Sequence, residues 1–155
     1  MERAVPATTG WIVTARQYLV FSLLGHAAWE ILQLPLYTIW TTGTPGEQVF
    51  AVAHCTVGDV MIAASCLFAA WLLSGRPGWP QVAFGQVAVT AVVLGVCYTA
   101  FSEWLNVAIR GAWSYSSWMP IVRLGTFSIG LSPLMQWILV PALAFLAVRT
   151  AKPDA

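Results

Sequence analysis

The chain has 155 residues, of which 59% are hydrophobic and 8% charged, with a formal net charge of +1 and a mean hydropathy of +0.74. Soluble domains carry about 25% charged residues, so this composition excludes a soluble enzyme and specifies an integral membrane protein. The near-neutral balance also excludes nucleic-acid partners, which need clustered Lys and Arg.

Four apolar segments approach the roughly 20 residues that cross about 30 Å of hydrocarbon. They fall at about residues 12–40, 49–73, 82–109 and 124–148, separated by the turn-rich stretches TTGTPGEQ (41–48), SGRPGWPQ (74–81) and GAWSYSSWMPIVR (111–123). The expected fold is all-α, a single transmembrane domain (1–155) forming a bundle of four transmembrane helices.

The first segment contains HAAWEILQLPLY (26–37). On a helix, His26, Glu30, Gln33 and Tyr37 stand at i, i+4, i+7 and i+11 and share one face. That face must look at protein, water or a ligand. The apolar stretch 18–25 resembles the start of a signal peptide, but the apolar character runs on past Glu30 to Trp40, which favours a retained helix.

The second segment carries His54 and Asp59, which lie five apart and point about 140° away from each other. Asp59 is therefore expected to meet the first helix. The third presents Tyr98 and, on one face, Thr99, Glu103, Asn106 and Arg110, with Arg110 or Arg123 as candidate partners for Glu103. The loop after it carries Trp113, Tyr115 and Trp118, either as an aromatic lid or as an interfacial belt. The fourth offers Ser128, Ser132, Gln136 and Trp137. Pro35, Pro133 and Pro141 are expected to kink their helices. Cys55, Cys66 and Cys97 are odd in number and lack CxxC spacing, so they read as small buried hydrophobes.

Lys and Arg favour cytoplasmic loops. Arg3, Arg16, Arg76, Arg149 and Lys152 would share one side against Arg110 and Arg123, which makes both termini cytoplasmic. All four helices then carry polar groups from the middle to the outer half of the bilayer, and the inner half carries no acid.

Glu30, Asp59 and Glu103 each cost about 2.5–3.5 kcal/mol at a helix centre, so the layer calls for a function. Three are compatible. A metal site is weakly supported, since His26xxxGlu30 alone is a poor motif and HExxH is absent; neither a metal nor an organic cofactor is expected. A proton relay lacks a second polar set in the inner half. Acid–base work on a lipid fits best, with catalytic candidates His26, Glu30, Asp59 and Glu103 and ligand-binding candidates Gln33, Tyr37, His54, Tyr98, Asn106, Trp113, Tyr115, Gln136 and Trp137. The rival is a non-enzymatic accessory or assembly subunit whose polar residues join helices. A homo-oligomer is compatible with this composition.

Four short patterns also resemble a family. HxxxE (His26, Glu30), an acid ahead of small and apolar residues (Asp59 in GDVMIAASCLFAAWLL), YxxxxE (Tyr98, Glu103) and WxxxP (Trp137, Pro141) are similar to the EXPERA superfamily of emopamil-binding sterol isomerases and sigma-2-receptor-like proteins. The resemblance implies a small helical bundle around a sterol- or lipid-sized cavity. His26 and Glu30 would then donate a proton, Asp59 would take part in proton removal or charge stabilisation, and Trp137 would lie against a carbocation. The family's amide one turn before that Trp is not matched; Leu134 stands there, and Gln136 is the nearest amide. GAWSYSSWMP followed by GLSPLMQW also faintly resembles integral-membrane carotenoid cyclases and hydratases. Both resemblances imply an isoprenoid, sterol-like or other lipid ligand.

Overall fold

The computed structural model describes residues 7–125 and 127–150; Arg3 and Lys152 lie outside them. The fold is all-α, a bundle of four long helices. Helix α1 spans Ala7–Gln33, a short α2 spans Ile39–Thr42, α3 spans Pro45–Ser74, α4 spans Phe84–Glu103 and α5 spans Leu131–Thr150. The segments Gly10–Leu36, Pro45–Ser74, Phe84–Ile109 and Leu131–Thr150 are long and apolar enough to cross a membrane. Their outward faces are lipid-like: Leu32 is 76% exposed and Leu73 72%, an arrangement that water would penalise across so many residues.

Local chemistry sets where the helices begin and end. Proline disfavours the α conformation of the residue before it. Accordingly α1 stops at Gln33, and Leu34–Leu36, with Pro35 inside, form a single 3₁₀ turn. The first helix is thus shorter at this end than the 12–40 expected. Helix α3 begins earlier than expected because the turn-like TPGE is a capping box. The Thr44 side chain accepts from Glu47 N–H while the Glu47 carboxylate accepts from Thr44 N–H, with Pro45 in the first turn. After Glu103, α4 widens into a π-helical turn, Trp104–Ile109.

The fourth helix begins at Leu131, not at 124. Strands β1 (Ile121–Leu124) and β2 (Phe127–Gly130) pair antiparallel, with Val122 opposite Ile129, and Gly125 supplies a left-handed backbone (φ 63°) between them. Ser128, expected on the fourth helix, is an exposed residue of β2.

The helices run up, down, up, down, with α1 packed on α3 and α5 and α4 packed on α3 and α5. One end carries the start of α1, the end of α5 and the 75–83 loop; the other carries residues 34–44 and 110–130. The apolar core lies toward the first end, around Tyr18, Leu67, Val87, Ala91, Phe145 and Val148. Small residues there let the backbones approach, as membrane helices require.

Candidate functional site

Above that core, toward the hairpin end, α1 places His26, Glu30 and Gln33 one turn apart on its buried face, and all three are buried. Helix α5 supplies Gln136 and α3 supplies Asp59. The Gln136 amide nitrogen lies 3.0 Å from each of His26 Nδ1, Glu30 Oε1 and Asp59 Oδ2, and Asp59 Oδ2 is 3.4 Å from His26 Nδ1. An amide nitrogen has two hydrogens, so it cannot serve three acceptors. A consistent arrangement has Gln136 donating to the two carboxyl groups while His26 Nδ1–H faces Asp59. The Gln136 carbonyl accepts from Gln33 Nε2 at 3.2 Å, and the same nitrogen donates to Glu30 Oε1 at 2.8 Å. His26 Nε2, on the other edge of the ring, is buried and has no hydrogen-bond partner.

Trp137 closes this layer from α5. Its ring is tilted 43° to His26 at a centroid distance of 4.9 Å, and it lies beside Asp59. The position depends on Gly95 of α4, because a Cβ there would stand 2.3 Å from Trp137 Cε3. A second set extends toward the hairpin end: Trp29 Nε1 donates to Ser132 Oγ at 3.1 Å, and Ser132 Oγ donates to Gln33 Oε1 at 2.9 Å.

The loop 111–120 folds over this end. Its backbone bonds Leu36 and Thr38 through Ser116 N–H and Ser114 C=O, and Ser116 Oγ donates to Pro35 C=O at 3.0 Å. Tyr115 donates its hydroxyl to Glu103, with Trp113 alongside that carboxyl, and its ring lies 5.7 Å from that of Tyr37. Burial, and then Glu103, push the Tyr115 phenol well above its usual value. Burial likewise pushes Tyr37 up, assisted by Glu103 and Tyr115. Both phenols are thereby held neutral.

His26, Glu30, Gln33, Asp59, Gln136 and Trp137 therefore meet in one layer, with Tyr37, Glu103, Trp113 and Tyr115 grouped nearer the hairpin. The others lie elsewhere. His54 is exposed and stacks on Phe50 at 5.5 Å, as its 140° offset from Asp59 requires. Asn106 turns back to Ser102 C=O at 2.9 Å inside the π turn. Tyr98 is 47% exposed and lines a cleft of about 460 Å³ between α3 and α4, with Met61, Ile62, Ser65 and Leu94. Glu103 pairs with Tyr115 and not with Arg110 or Arg123, which are exposed.

Trp29 is absent from the candidates drawn from sequence. Its signal was present, since an indole N–H within an apolar helix needs a partner, and Ser132 stood on the same predicted face as Gln136. Among the described residues, no group of three or more His, Cys, Asp or Glu is arranged to hold a metal ion. Comparison of the chain with protein-family models, curated proteins and solved structures returned no match.

Proposed function

We propose that this membrane protein binds an apolar lipid of isoprenoid or sterol type against the His26–Glu30–Asp59 layer and moves a double bond in it by acid–base chemistry. The observation that supports this reading is the convergence of an imidazole and two carboxyl groups on one amide, which brings three groups able to hold or release a proton into one layer. In the reaction, one member of the layer gives a proton to an alkene carbon, forming a C–H bond and a carbocation. A second member removes a proton from a neighbouring carbon, that C–H bond breaks, and the double bond re-forms one position along. The faces of Trp137 and Trp29 suit the transient cation. This chemistry accords with the EXPERA-like patterns in the sequence, with Gln136 serving as the amide beside Trp137. With Arg16, Arg76 and Arg149 at one end and Arg110 and Arg123 at the other, we place the termini in the cytoplasm and the layer toward the opposite face.

The test is lipid extraction from the purified protein with identification by mass spectrometry. A stoichiometric isoprenoid or sterol, lost or unprocessed in Glu30→Gln and Asp59→Asn, is the expected result; bulk phospholipid alone, unchanged by either variant, contradicts it. A second reading, a helix-joining role in an accessory subunit, is favoured by the closed set Trp29–Ser132–Gln33–Gln136. It expects the same variants to lose stability or assembly with no ligand involved.

A further inference from the structure

Between the layer and the end that carries the start of α1 and the end of α5, α1 turns a line of polar residues into the bundle. Thr14, Tyr18, Ser22 and His26 are spaced by four residues and are 0%, 1%, 0% and 0% exposed. Four residues rise about 6 Å along a helix and drift about 40° around it, so the line descends the interior one turn at a time. Thr14 Oγ1, Ser22 Oγ and His26 Nε2 are all buried without a hydrogen-bond partner. Tyr18 lies between them, beside Ser22, with its ring stacked on Phe145 at 4.3 Å. Gly10 stands one turn below Thr14 and faces Pro80 and Gln81 in the loop at that end. Gln17 Oε1 and Trp79 Nε1, buried and unpartnered, lie at the same end.

Interiors rarely leave buried polar atoms unpaired, and packing does not require them here. The two helices packed on α1 contribute Ala63, Leu67 and Ala70 of α3 and Ala144, Phe145 and Val148 of α5 to the same apolar core. Cys66 of α3 is the titratable neighbour of Tyr18, and Arg16, on the same helix, is exposed. A hydroxyl donates and accepts at once. A line of hydroxyls joined by water therefore passes a proton by successive hops, each oxygen gaining one proton and releasing another, with no net change in the line. His26 completes the series, since one ring nitrogen can take a proton at Nε2 while the other releases one at Nδ1 toward the Asp59 carboxyl, 3.4 Å away.

We propose that the buried face of α1 is a proton path, running from the end that carries the start of α1 through Thr14, Tyr18 and Ser22 to His26 Nε2. In purpose it rests on the acid–base reading of the layer, which it would reset between turnovers; as a path it can be tested alone.

The experiment uses full-length protein with ¹⁵N-labelled imidazoles in lipid bilayers, and NMR to follow exchange of the His26 ring proton with water. His54, the other histidine, is exposed and is the internal reference. Thr14→Val, Tyr18→Phe and Ser22→Ala each remove one hydroxyl with little change in volume. Each is expected to slow His26 exchange by about tenfold, the scale of one lost hydrogen-bonded link, with His54 unchanged; Ser22→Thr, which keeps a hydroxyl, is expected to restore it. Unchanged exchange in all three variants overturns the path. So does a wild-type ring proton that does not exchange, or acceleration by Tyr115→Phe alone, which would put the entry at the hairpin end. The protein is stripped of co-purified lipid before it is placed in bilayers of a single defined phospholipid, so the path stands or falls whether or not an isoprenoid is ever found.

Discussion

Gln136 joins more of the site than any other residue, because its amide reaches His26, Glu30, Asp59 and Gln33 from a single side chain. Gln136→Leu keeps the volume and strands those groups without a common donor. Leaving buried polar atoms unsatisfied costs about 1–3 kcal/mol, so thermal unfolding in detergent is expected to fall clearly. Trp29→Phe removes one interhelical hydrogen bond, worth about 0.6 kcal/mol on average in membranes, and is expected to be much milder. Equal losses in the two variants would mean that the amide is ordinary helix glue. The sequence disclosed the acids of α1 and α3 through their misfit with lipid, but not this ranking. An amide in an apolar helix says that it needs partners, and only the fold says how many converge on it.

At the scale of elements, the close contact of α4 and α5 depends on the missing Cβ of Gly95. Gly95→Ala drives a methyl into Trp137 and is expected to cost about 1–3 kcal/mol, as overpacking does. Gly58→Ala, with nothing within 4 Å of its added Cβ, is expected to be neutral or stabilising by up to about 1 kcal/mol. Thermal unfolding of the pair checks the contrast. The loop 111–120 is held partly by the Tyr115–Glu103 bond. Since burial and Glu103 raise the Tyr115 phenol above its ordinary value of 10.0, the folded state holds that proton more tightly than the unfolded chain. Its stabilisation is therefore complete below about pH 10 and is lost as pH rises above it. Unfolding temperatures measured across that window are expected to fall less steeply in Tyr115→Phe than in the wild type. The hairpin itself was not legible. Residues 121–130 are apolar and continuous with α5 in composition, and a run of that length does not distinguish strand from helix. The start of α3 was legible in principle, through the capping box in TPGE.

For the molecule as a whole, hydropathy alone disclosed the four-helix membrane bundle, since lipid imposes that pattern on every outward face. The helical wheel also placed polar groups of all four helices near one depth. It failed where a side chain had a local outlet: His54 stacks on Phe50, and Asn106 returns to its own helix. The proposed orientation rests on the placement of charge and is testable with an impermeant thiol reagent in a cysteine-free background. Arg76→Cys is expected to label from the cytoplasmic side and Arg123→Cys from the opposite side, and the reverse pattern would invert the layer in the membrane. The central claim, proton exchange between the layer and a bound lipid, is tested most directly in D₂O. Protein carrying its co-purified lipid is incubated in D₂O, and the lipid is then analysed by mass spectrometry. Deuterium on carbon, present with wild-type protein and absent with Glu30→Gln and Asp59→Asn, is the predicted result; a lipid that stays unlabelled with the wild type contradicts it.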